Sequence, residues 1–117
     1  MKIVYFVTES GRRPAEEFIK SLNVHSRNKF FSLIELLEEF GRGLAFPHAK
    51  YIGEEIFELR FENVEGAIRV FYFFYDGEKA VLTNGFVKKS NKTPKREKET
   101  AIGRREIYFK MHKGGAS

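Results

Sequence analysis

A chain of 117 residues carrying a net charge of +5 has room for one hydrophobic core and not for a second. Thirteen phenylalanines and five tyrosines without a tryptophan argue against disorder and for strands around a bulky aromatic core. The absence of cysteine excludes a disulfide framework, thiolate metal sites and a cysteine nucleophile, and it fits a reducing cytoplasm.

The first apolar run, Ile3 to Val7, is β-prone and closes at Glu9-Ser10-Gly11, so it reads as a strand and is too short for the core of a signal peptide. Pro14 opens a helix with Glu16 and Glu17 at the positive end of its dipole and Phe18, Ile19 and Leu22 as its stripe. Asn23 caps a second helix, in which Phe30, Leu33, Ile34, Leu37 and Phe40 recur at threes and fours, and Gly41 stops it. Gly43 to Pro47 breaks the period and reads as a loop.

Beyond that loop the period becomes two. Phe57, Leu59 and Phe61 share one face of a half-buried strand from Ile56 to Phe61, with Glu58 and Arg60 on the other. Asn63 to Gly66 forms a turn, and Ile68 to Tyr75, apolar on both faces apart from Arg69, is the expected central strand. Asp76-Gly77 turns the chain into a fourth strand, Lys79 to Val87. Thr93 as cap and Pro94 in the first position start a last helix that runs to about Lys110, ahead of a frayed end at about 112–117. The expected order is β-α-α-β-β-β-α in a single α+β domain. No apolar run approaches the roughly 18 residues of a membrane span.

The charge is unevenly spread. Lys88 to Lys113 holds ten basic residues against three acidic ones, including Lys95 and Arg96 at the start of the last helix, so this quarter reads as the polyanion-facing part. Arg60 and Arg69 lie on strands joined by one turn; symmetric pairing about it puts both guanidiniums on one face, within reach of one phosphate. Arg69, set among Val70, Phe71 and Phe73, needs a partner to offset its desolvation. That partner is either a phosphate held by the forked guanidinium or Glu58 or Glu62 in a buried ion pair.

A second cluster runs from Gly85 to Pro94, where Lys88, Lys89 and Lys92 precede a helix start and suit an anion. A third joins His48 to Lys50 after Pro47; a histidine, with an ordinary pKa of about 6.5, is the usual general acid or base. The aromatics of Phe71 to Tyr75 read as core, with Phe86 the one placed to line a site. No histidine pair has metal-ligand spacing, and no nucleotide-binding glycine motif or HExxH is present, so no cofactor is expected.

Together these pieces resemble the RelE toxin superfamily, in its phage-derived, HigB-like branch. The resemblance rests on Leu37, Gly41, Gly43-Leu44, Pro47 and Lys50, then Phe57-Glu58-Leu59-Arg60, then Ile68-Arg69-Val70-Phe71-Tyr72-Phe73. It continues through Asn84-Gly85-Phe86-Val87-Lys88-Lys89, Lys92-Thr93-Pro94 and the helix carrying Ala101 and Arg104, covering about residues 2 to 110. It implies a small, mostly antiparallel sheet with two N-terminal helices packed on it and a C-terminal helix. It also implies the toxin of a type II toxin–antitoxin system, a metal-independent endoribonuclease (mRNA interferase) that cuts mRNA in the A site of the 70S ribosome and is held by a helix-turn-helix antitoxin.

By the same resemblance Arg69 holds the scissile phosphate, Arg60 and Lys50 belong to the substrate face, and one of Lys88 and Lys89 assists charge neutralisation or proton transfer. His48, Phe86, Lys92, Lys95 and Arg96 complete the expected RNA-binding set. RelE itself also carries a tyrosine near the start of the last helix that helps activate the nucleophile. This chain has none between Tyr75 and Tyr108, and a free lysine titrates near 10.4, so the general base stays unassigned. The other readings are a non-catalytic nucleic-acid-binding module that uses the same face, and a toxin fold retained as a transcriptional co-regulator.

Overall fold

The computed structural model describes residues 1–113. Three helices and a five-stranded sheet form a mixed α+β fold. The chain runs through β1 (Lys2–Tyr5), α1 (Pro14–Ser21), α2 (Val24–Phe40), a 3₁₀ turn at Gly41–Gly43, β2 (Ala49–Gly53), β3 (Ile56–Asn63), β4 (Gly66–Tyr75), β5 (Lys79–Lys88) and α3 (Lys95–His112). In space the strands lie in the order β1-β5-β4-β3-β2. β1 runs parallel to β5, and every other pairing is antiparallel.

The local signals act as their chemistry requires. Pro14 opens α1, the Asn23 side chain accepts the Ser26 N–H at 2.9 Å, and Gly41 ends α2 at φ +52°. α1 and α2 carry the chain from one edge of the sheet to the other and cover one face. There Ala15, Ile19, Phe30, Leu33 and Leu37 pack on Leu59, Val70, Tyr72 and Leu82. On the opposite face Phe6, Ile56, Phe71, Phe73, Val81 and Phe86 gather with Ala101 of α3. The central β4 is buried on both sides, as its unbroken apolar run requires.

Ala101 is the one fully buried residue of α3, Ile102 and Tyr108 pack half-buried against the same cluster, and polar contacts tie the helix to β5. Asn84 on β5 donates from Nδ2 to the Glu97 carboxylate at 3.0 Å and to its main-chain carbonyl at 3.3 Å. Farther along the helix, Arg104 donates from Nη1 to the Thr83 carbonyl at 3.0 Å. Thr83 sits where the β4–β5 register slips, with Phe71 opposite Asn84 and Tyr72 opposite Leu82. Its hydroxyl donates to the Phe71 carbonyl at 3.3 Å.

Three expectations need correction. The stretch after Pro47 holds a strand, β2, so Lys50 is paired with Glu58 across a ladder and does not belong to a loop. The polar face of β3 is only partly open to water, because Glu58 is buried while Glu62 is exposed. Pro94, in an extended conformation, is the cap of α3; Thr93 does not cap it and the first helical residue is Lys95. His112 is the last residue of α3, with Nδ1 2.8 Å from the Tyr108 carbonyl and its ring stacked on Tyr108. The remainder of the expected frayed end, residues 114–117, lies outside the described residues.

Candidate active site

Strand register places the basic residues in rows on the α3 face. Arg60 on β3 faces Arg69 on β4, which faces Phe86 on β5. One step toward the β3–β4 turn, Glu62, Ala67 and Lys88 make a parallel row. One step away from it, Lys50, Glu58, Phe71 and Asn84 make another. His48 extends the first row, since its carbonyl accepts the Arg60 N–H at 2.9 Å. The symmetric pairing expected for the two arginines is therefore what the hairpin adopts.

Glu58 sits between the guanidiniums. Its Oε1 lies 3.3 Å from Arg60 Nε and 3.8 Å from Arg69 Nε, and its side chain is 3% exposed. The two hydrogens of Arg69 Nη1 go to the Ile68 carbonyl at 3.0 Å and to Glu62 Oε2 at 3.1 Å, with the Phe61 carbonyl marginal at 3.5 Å. Glu62 is the exposed partner, at 71% against 5% for Arg69. Glu58 Oε2, Arg60 Nε and Nη1 and Arg69 Nε are buried without a hydrogen-bond partner among the described residues. Phosphate and ion-pair readings of Arg69 thus concern one place: both carboxylates are on it, and donors remain unspent.

A pocket of about 290 Å³ opens here, lined by Phe46, Pro47, His48, Arg60, Phe61, Glu62 and Arg69. Phe46, 69% exposed, lays its ring over the Arg60 guanidinium at 4.7 Å. Sequence reasoning passed over Phe46, because an aromatic in an irregular loop has no period to betray it. Phe86, expected to line the site, is not part of the pocket wall. At 9% exposure, and edge-on to Phe71 at 5.1 Å, it offers no open face for a base and belongs to the core.

The remaining cations stand outside the pocket lining. Lys50 is exposed on β2, and Lys88, half-buried, ends β5 on the same sheet face. Lys89 and Lys92 are exposed in the segment that leads to α3, as are Lys95 and Arg96 in its first turn. Lys95 lies 4.0 Å from Glu99, both well exposed. The geometry thus gathers Arg60, Arg69 and His48 into one pocket, places Lys50 and Lys88 on its flanks, and leaves the others as a basic margin. Among the described residues no histidines and carboxylates group in a way that could hold a metal ion, and no helix is long and apolar enough to cross a membrane.

Sheet and pocket together define a class: small α+β proteins that bring paired arginines from neighbouring strands into one pocket. The family described as phage-derived protein Gp49-like (DUF891) matches residues 17–106, a span that contains the whole pocket. The chain belongs to this family, within the HigB-like branch of the RelE superfamily that its motifs indicated. It is similar to two curated proteins named "Probable endoribonuclease HigB1", from Mycobacterium tuberculosis strains CDC 1551 and H37Rv. Each is 36% identical over 78 residues, which is 66% of this chain and 62% of the relative's length.

Proposed function

We propose that this protein is the toxin of a type II toxin–antitoxin pair and acts in the cytoplasm as an endoribonuclease on mRNA in the ribosomal A site, held in check by a helix-turn-helix antitoxin. The observation that carries the reading is the Arg60–Arg69 pair, cross-strand neighbours that line one pocket. Kinship with proteins named as endoribonucleases supports the reaction class.

The chemistry follows from what two guanidiniums do for a phosphodiester. The ribose 2′-oxygen attacks the adjacent phosphorus, its proton leaves to a base, the P–O5′ bond breaks and the 5′-oxygen takes up a proton. The products are a 2′,3′-cyclic phosphate and a 5′-hydroxyl. The pentacovalent phosphorane carries one more negative charge than the diester, and Arg69 and Arg60, fixed before the substrate arrives, neutralise it. Lys88 extends the positive field from the next strand, and Lys89, Lys92, Lys95 and Arg96 track the flanking phosphates. Phe46 supplies the exposed aromatic face on which a base can stack.

Induced expression of wild type beside Arg69→Ala, with RNA ends mapped, tests this. Wild type arrests growth and produces 2′,3′-cyclic phosphate ends within coding sequence. Arg69→Ala, confirmed folded by circular dichroism, should lose about 10²–10³ in cleavage rate, the range for removing one donor to a developing charge. Persistent cleavage by the folded variant contradicts the assignment. RNA that stays intact in the presence of bound wild-type protein leaves phosphate binding without catalysis.

A further inference from the structure

The two carboxylates on Arg69 differ in every respect that governs whether a ligand can replace them. Glu58 is buried at 3% exposure and lies against both guanidiniums. Glu62 is 71% exposed and meets Arg69 alone, through Oε2 at 3.1 Å on Nη1, inside the pocket lining. An exposed ion pair is held weakly, because water and salt compete for both partners.

The backbone around Glu62 is tied down, while its exposed side chain is held through Arg69 alone. Its main-chain carbonyl accepts the Lys29 ammonium at 2.8 Å, tying this end of β3 to α2. Its cross-strand neighbour is Ala67, too small to hold the carboxylate in place. Moving the carboxylate off Arg69 therefore needs only side-chain rotation into solvent. A carboxylate and a phosphodiester also present the same thing to a guanidinium, a pair of anionic oxygens.

We propose that Glu62 is an exchangeable plug: in the free protein its carboxylate holds the position on Arg69 that a substrate phosphodiester takes, while Glu58 remains as the permanent counterion that keeps the two guanidiniums side by side. This rests on the pocket being a phosphodiester site, and it deepens that reading by naming what the substrate must displace. Glu62 then sets the threshold for entry. A ligand with one weakly placed anionic group does not dislodge it, whereas a chain whose flanking phosphates are gripped by Lys88 and the lysines beyond brings its central phosphate to Arg69 at high effective concentration.

The test measures binding of a 2′-O-methyl oligoribonucleotide, which lacks the nucleophile, by fluorescence anisotropy at fixed salt. Glu62→Gln should bind about two- to fivefold more tightly than wild type, the range expected when an exposed ion pair stops competing. Glu54→Gln, the same charge change in the β2–β3 turn at the far end of β3, separates this from a general loss of repulsion and should gain less than Glu62→Gln. Equal gains in the two variants, or no gain in Glu62→Gln, overturn the plug. Arg69→Ala distinguishes the levels: weakened binding there with no gain in Glu62→Gln leaves the phosphodiester site standing without its plug, and undiminished binding in Arg69→Ala removes the site itself.

Discussion

Glu58 holds the least replaceable position in the pocket. Taking a carboxylate and two guanidiniums out of water is unfavourable for each alone, and here the charges offset one another at close range. Removing the carboxylate would leave Arg60 and Arg69 facing each other across β3 and β4. Glu58→Gln, which keeps the volume and discards the charge, should lower unfolding free energy by about 3 kcal/mol, at the lower end for breaking a buried pair because Glu62 still meets Arg69. Glu62→Gln should cost less than about 1 kcal/mol, as exposed pairs do. Urea denaturation of both variants checks the contrast, and equal losses would contradict the division between a fixed and an exchangeable carboxylate. At this scale the sequence showed the problem and not its solution. A lone charge among Val70, Phe71 and Phe73 announces itself, but a phosphate and an acidic partner satisfy it equally well on paper. Only the register reveals that Glu58 lies between the two arginines, and that Lys88 is one strand over while Lys89 lies beyond the strand.

At the scale of elements, the packing of α1 against β5 depends on one missing side chain. Gly85 faces Val70 across the ladder, and a methyl there would overlap the Phe18 ring, whose Cε2 would be 2.8 Å away, with the Arg69 carbonyl at 3.2 Å. Gly85→Ala should therefore push α1 off the sheet and cost about 1–3 kcal/mol, the usual penalty for overfilling a packed interface. A thermal melt reads it, and an unchanged midpoint would show that Phe18 gives way freely. Because the same displacement bears on the Arg69 backbone, this variant links core packing to the pocket. The elements legible in the sequence were those with local causes: the Pro14 start, the Asn23 cap, the Gly41 stop and the Asp76-Gly77 turn. β2 escaped because only partnership with β3 makes Lys50-Tyr51-Ile52 a strand, and the start of α3 was misplaced because polar clamps from Asn84 and Thr83 fix that helix.

Across the whole molecule, one sheet separates two cores, and Tyr72 is buried in the one beneath α1 and α2. Burial there pushes its phenol well above the ordinary tyrosine range, which starts near 10 in an unfolded chain. Between those two values the unfolded state gives up a proton that the folded state keeps, so the folded state binds more protons and stability falls as pH rises. Below about pH 10 the contribution is intact; above it, each further pH unit removes up to about 1.4 kcal/mol per such group until the folded phenol itself titrates. Burial raises Tyr5 and Tyr108 as well, and hydrogen bonding to Asp76 raises Lys79, so these act with the same sign. Stability measured by urea denaturation from pH 9 upward should decline progressively, with part of the tyrosinate absorbance near 295 nm appearing only as the chain unfolds. Tyr72→Phe preserves the ring packing against Phe57 and Phe74 and removes the ionisable oxygen, so its stability should decline less steeply over the same range. A decline in Tyr72→Phe as steep as in wild type would mean that the alkaline weakness lies outside this core, in the Asp76–Lys79 turn or among the aromatics under α3.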